Sequence, residues 1–238
     1  MKWIRNKDGK RKNLRTGKAL ETYRVPQGAC SDGRWIYVAY EQKKPQRIKI
    51  ARYDAKTYKL TRVSKPLKVG HANDMTFRKG KLYITHSGTT SKIHVVDADT
   101  LEHVKDIKVA GGYYFNGIAR EGDGFLLRCM GGRTMLVVDK HFKKIRTYKA
   151  ATSLGVSQSM DTTDKYVIRA WASANPTQSK QNYISYNSHK GKLIKKKKLP
   201  LTGELESAFM VGDTLHGLVY RKKKVDGKKK YYAFLFII

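Results

Sequence analysis

The chain repeats itself. Five segments align end to end: QGACSDGRWIYVAY from Gln27, NDMTFRKGKLYITH from Asn73, NGIAREGDGFLLRC from Asn116, QSMDTTDKYVIRAW from Gln158 and ESAFMVGDTLHGLVY from Glu206. Each opens on an amide or a carboxylate. An apolar residue follows two positions on, then a turn, then an apolar strand. The opening residues stand 46, 43, 42 and 48 positions apart. Between them, RIKIARYDAKTYKLTRV, KIHVVDADTLEHVKDIKV, TMLVVDKHFKKIRTYKA and NYISYNSHKGKLIKKKKL each read strand, polar turn, strand. A unit of four short antiparallel strands recurring every 40–50 residues cannot bury its apolar residues alone. Stacked around an axis it becomes a β-propeller blade.

The sequence therefore predicts an all-β, five-bladed β-propeller with four antiparallel strands per blade. The single domain spans 1–238, with blades at about 27–68, 69–109, 110–150, 151–200 and 201–238. The last unit ends at its third strand, KYYAFLFII. Residues 15–26 match the missing fourth strand. They are expected to close the ring by pairing with the C-terminal blade, leaving 1–14 as a basic N-terminal extension. Closure removes the exposed edge that an open sheet would present.

A propeller dictates where a site forms. The start of each innermost strand surrounds the channel mouth, which places Gln27, Asn73, Asn116, Gln158 and Glu206 in an inner ring. Strand alternation points Asp74 away from the channel. The residues ending each second strand are expected just outside the ring: Tyr40, His86, Cys129 with Arg128, Trp171 and Tyr220. Together they would form a funnel with hydrogen-bonding groups at its base and aromatic walls, suited to a ligand. His71, His86 and Asp74 read as hydrogen-bonded structural groups, so no metal and no cofactor are expected. Asp97–Asp99 is too short for a calcium loop. Gly111-Gly112 and Gly131-Gly132 read as turns. Phosphate-loop, HExxH, CxxC and GxSxG motifs are missing. Cys30 and Cys129 fall on different blades and are expected as free thiols.

Charge narrows the partners. Fifty Lys and Arg against 19 Asp and Glu leave +31. Self-repulsion of this size points to an acidic partner. Lys195, Lys196, Lys197 and Lys198 form one cluster. Lys222, Lys223, Lys224, Lys228, Lys229 and Lys230 form another. Both are candidate polyanion contacts. The clusters scatter around the rim instead of forming a stripe with interleaved aromatics, so nucleic acid is at most a non-specific partner. No apolar run reaches membrane-spanning length. No signal peptide is visible, so a secreted protein would have lost it. A monomer is expected.

Two families resemble parts of the chain. SQSMDTTDKYVIRAWASANPTQSKQNYISYN and ELESAFMVGDTLHGLVYRKKKVDGKKKYYAFLFII, the latter with its Glu206-Ser207 pair, resemble the last two repeats of helveticin J-like proteins of lactic-acid bacteria. The resemblance implies a secreted, surface-associated protein of a Gram-positive bacterium and, in its narrower form, an antibacterial one. Gln27-Gly28 and Asn116-Gly117-Ile118-Ala119 are similar to inner-strand motifs of plant-type glutaminyl cyclases. There the second-blade glutamate handles protons, but Asn73 occupies that position here and cannot exchange one near neutral pH. The leading expectation is a non-enzymatic cationic propeller, extracellular or on the cell surface, that recognises an anionic cell-wall polymer or glycan. A cyclase-type enzyme using Glu206 as general acid/base is one alternative. A peptide-binding propeller relying on Trp171 and Tyr40 is the other.

Overall fold

In the computed structural model each repeat unit forms one four-stranded antiparallel sheet, and five such sheets make a five-bladed β-propeller. The structure describes residues 1–15, 17–42, 46–86, 91–129, 133–150, 154–173 and 181–238. Gly131-Gly132 lies outside them. A short strand β1 (Lys2–Trp3) precedes the blades. Blade 1 is β2 (Val25–Ser31), β3 (Trp35–Gln42), β4 (Arg47–Asp54) and β5 (Leu60–Val63). Blade 2 is β6 (Asp74–Arg78), β7 (Lys81–Thr85), β8 (Lys92–Asp97) and β9 (His103–Lys108). Blade 3 is β10 (Phe115–Glu121), β11 (Gly124–Cys129), β12 (Thr134–Val138) and β13 (Lys144–Lys149). Blade 4 is β14 (Val156–Thr162), β15 (Val167–Ala172), β16 (Asn182–Asn187) and β17 (Leu193–Leu199). Blade 5 is β18 (Glu204–Val211), β19 (Thr214–Val225) and β20 (Lys228–Ile237), with β1 as its outer strand.

Burial follows position in the blade. The second strands, such as β11 and β15, are buried throughout, because both faces of a blade pack against neighbouring blades. The outer strands β9, β13 and β17 are largely exposed and rich in lysine. Lysine on an edge strand discourages pairing with another chain.

The ring closes through the N-terminus, but not through residues 15–26. Lys2 pairs with Ile237 and Trp3 with Phe236. The chain then makes a short excursion and returns along the same edge, where Asn13 bridges Phe234 and the Leu14 N–H donates to the Ala233 carbonyl at 2.8 Å. Trp3 packs its ring on Phe234 and Phe236, and Leu14 is buried. Residues 18–20 instead form a 3-10 turn, and Val25-Pro26 already belong to β2. The expected segment buries Leu20 and Tyr23 in the same core, but through a 3-10 turn, so it makes no ladder with β20. Trp3 and Leu14 supply the apolar anchor at that edge, within what reads as a basic extension.

Inner strands are laced to one another across blades. The Ser159 hydroxyl accepts the Ala208 N–H, and the Ser207 hydroxyl accepts the Ala29 N–H. The Gly28 N–H donates to the Ala72 carbonyl. A Cβ at Gly28 would lie 2.8 Å from the Asp74 Cα, so only glycine permits this approach.

Candidate functional site

Irregular pairing at the start of the inner strands shapes the channel mouth. The register of β2 on β3 slips between Pro26 and Ala29, that of β10 on β11 between Phe115 and Gly117, that of β14 on β15 between Ser157 and Met160, and that of β18 on β19 between Leu205 and Ser207. Gln27, Asn116, Gln158 and Glu206 sit in these slips, and Asn73 immediately precedes β6. A bulge leaves its extra residue outside the ladder and re-aims the side chain. All five therefore line one cavity of about 880 Å3, as expected from their spacing.

The base of this cavity is closed by a polar network across the axis. The Asn73 amide donates to the Asn116 carbonyl at 2.7 Å and to the Gln158 carbonyl at 2.8 Å. Arg128 reaches the same point, with Nε 2.9 Å from the Asn116 Oδ1 and Nη2 2.7 Å from the Asn116 carbonyl. Asp74 does not point away from the channel, as strand alternation alone would have it. Its Oδ2 accepts N–H groups of both Ile118 and Met160, at 3.0 Å each, joining blades 2, 3 and 4. Blades 2 and 4 are not neighbours in the ring, so these contacts span its centre. Burial pushes the Asp74 carboxyl up, opposed by the two N–H donors and Arg128. Burial likewise lowers the Arg128 guanidinium to about 10. Asn73, Arg128 and Asp74 are thus a plug.

Above the plug, the cavity is lined by groups that the repeat does not single out. Glu41, Glu204, His71, Arg24, Lys222 and Tyr231 join the ring. Glu41 Oε1 lies 3.1 Å from the His71 Nδ1, and the Gln158 amide donates to Glu204 Oε1 at 2.9 Å. With Glu206, three carboxylates face one cavity in a chain of net charge +31. One signal for Glu41 exists: it follows Tyr40, opposite Val25 on the inner strand.

The expected aromatic wall is mostly absent. Tyr40 is fully buried, and its hydroxyl bonds to Tyr53, which donates to the Leu14 carbonyl. Trp171 is buried beneath Arg169, with its indole N–H on the Ser185 hydroxyl at 2.8 Å. Cys129 packs in the core of blade 3, where burial raises its thiol to about 11, and Cys30 is likewise a buried free thiol. His86 lies against Gly70 and beside His94, outside the cavity. The physical reason is shared. A strand's side chains point to the two faces of its blade, and those faces are blade interfaces, not the mouth. Tyr220 alone of these aromatics lines the cavity, stacked 6.4 Å from Tyr231.

Tyr220 and Tyr231 begin a second feature. β18 stops pairing at Glu204–Tyr220, yet β19 and β20 continue as a two-stranded ribbon to a turn at Asp226-Gly227. Both turn residues have positive φ, the Asp-Gly signature of a tight hairpin. Lys223 pairs with Lys230 and Lys224 with Lys229, while Lys222 and Lys228 flank them. None of the six forms a salt bridge among the described residues. The guanidinium groups of Arg24 and Arg15 lie 5.3 Å and 5.9 Å from the Tyr231 ring. Lys195–Lys198 stand apart from this ribbon, exposed on outer strand β17, with Lys195 over Tyr186.

No family model matches the chain, and no curated protein matches it. Among solved structures, the WD40 domain of Neurospora crassa Pan2 is similar, with a TM-score of 0.47 at 9% identity. The match covers 90% of this chain and 63% of that one, so the chain spans less than two thirds of its length. No helix among the described residues is long and apolar enough to cross a membrane.

Proposed function

We propose that this propeller is a binding module for an anionic polymer, an acidic glycan or a phosphate-rich cell-wall chain, held at the mouth face. The observation that carries the reading is the lysine ribbon beside the funnel. Like charges directly opposite on a hairpin destabilise it. Lys223 faces Lys230 and Lys224 faces Lys229, and none of the six ribbon lysines forms a salt bridge among the described residues, so this surface gains from an external polyanion. Lys222 and Tyr231 belong to both ribbon and funnel, so one ligand can touch both. The funnel takes the complementary part. Its amides and carboxylates suit hydroxyl or amino groups of a sugar, and Tyr220 offers a ring for stacking. The polymer's acidic groups would then run along the lysines. A secreted or surface-held protein of a Gram-positive bacterium fits such a ligand, and a helveticin-like antibacterial role is its narrower version.

The test compares purified wall teichoic acid, heparin and mixed-sequence DNA at about 0.1 M and about 1 M salt, where the screening length falls from about 10 Å to about 3 Å. Selective binding to the wall polymer is expected, partly retained at high salt and weakened by Tyr231→Ala. Equal, fully salt-sensitive binding to all three would overturn the reading and leave only charge.

A further inference from the structure

We propose that blade 2 carries a divalent transition-metal site built from His94, His103 and Asp106, away from the funnel. The His94 Nδ1 and the His103 Nε2 each lie 2.8 Å from the same Asp106 oxygen, Oδ1. The three ligand atoms all fall within 4.8 Å of one another. An ion bonded at about 2.0–2.1 Å to each would hold them roughly 3.3 Å apart, so little movement is needed.

The backbone explains why these three converge. Residues 103 and 106 on a regular strand would point to opposite faces. Here His94 pairs with Asp106 and Val95 with Lys105, but Val96 pairs with His103. The extra residue between is a bulge, and it turns His103 onto the face of Asp106. Three other blades carry a register shift at the equivalent place, which makes them internal controls. Their matching positions hold Ala51, Leu60 and Val63 in blade 1, Leu136, Lys144 and Thr147 in blade 3, and Ser185, Leu193 and Lys196 in blade 4. The shared fold therefore does not require this trio. Among these four blades, blade 2 alone places three ligating groups there.

Two imidazoles and one carboxylate select among ions. Nitrogen donors of this kind suit Zn2+, Ni2+, Co2+ and Cu2+ better than Ca2+ or Mg2+. Lys92 contacts Asp106 through the other oxygen, Oδ2, at 3.4 Å, so Oδ1 stays directed at the histidines. The His86 ring lies 6.2 Å from that of His94. The side chain of His103 is 41% exposed, which gives an entry path and leaves the remaining coordination positions to water.

The experiment titrates untagged, chelator-treated protein with Zn2+ and Ni2+ by calorimetry, and with Co2+ by visible absorption. One ion per chain is expected. His103→Ala and Asp106→Asn should each weaken binding at least about tenfold. His189→Ala should not, although His189 also pairs with a carboxylate, Glu121. Because His103 is exposed, its variant is expected to fold, and circular dichroism checks this. Absence of saturable binding, or equal binding by His103→Ala, overturns the proposal. Loss in His189→Ala as well would mean scattered surface histidines and would also overturn it.

Discussion

At the scale of the residue, position within the blade decides what each group can do. Asp161 shows this at the far end of the channel, in a second cavity of about 630 Å3 that it shares with Asp32 and Glu121. Its carboxylate accepts the N–H of Met210 and that of Thr162, each at 2.8 Å. Burial nevertheless outweighs those bonds and raises it to about 6 from 3.8. Between those values the folded chain binds more protons than the unfolded one, so stability falls as pH rises from about 4 to about 6. The expected loss is roughly 2–3 kcal/mol, since each tenfold change in proton affinity is worth about 1.4 kcal/mol. Asp161→Asn loses a hydrogen bond and is less stable at low pH, but its denaturation midpoint should fall less steeply between about pH 4 and pH 6, the remaining fall belonging to buried Asp74. An unchanged pH slope in the variant would assign the effect elsewhere.

At the scale of the element, the two lysine clusters separate by context. Lys195–Lys198 lie on an outer strand, where lysine protects an edge, and Lys195 already rests on Tyr166 and Tyr186. The β19–β20 ribbon protects no edge of the ring, since it extends beyond the inner strand. Replacing its six lysines with glutamine should flatten the salt dependence of polyanion binding and weaken it by one to two orders of magnitude at low salt, by the loss of counter-ion release. The same exchange at Lys195–Lys198 should change affinity only a few-fold. Binding isotherms at several salt concentrations distinguish the two. The hairpin should fold better without facing lysines, so thermal stability is expected to rise slightly.

At the scale of the whole molecule, closure depends on a short apolar anchor. Removing residues 1–14 takes away Trp3 and Leu14 and uncovers the edge of β20. Leu14 is fully buried, which is worth about 1.5–3 kcal/mol, and the partly buried Trp3 adds a fraction of that. The truncated chain should therefore melt several degrees lower and self-associate through the open edge. Light scattering and a melting curve check both. A truncated chain with an unchanged association state and an unchanged midpoint would show that the other blades hold the ring unaided.

The blade count, the four-strand pattern of each blade and the ring of Gln27, Asn73, Asn116, Gln158 and Glu206 are legible in the sequence, while the strand that closes the last blade is not. The legible features follow from local periodicity and from spacing between repeats, which any correct fold must respect. Tertiary structure decided what lies beside that ring. Tyr40 and Trp171 went into blade interfaces because a strand's faces, not its ends, meet the neighbouring blade. Asp74 crossed the axis because two backbone N–H groups from other blades were waiting for an acceptor. Glu41 and Glu204 reached the funnel from positions with no repeat signature. His94, His103 and Asp106 met through a bulge, and periodicity cannot show one residue slipping past its partner. Pairing choices of this kind depend on which apolar side chain finds a buried place, and that is settled only when the ring closes.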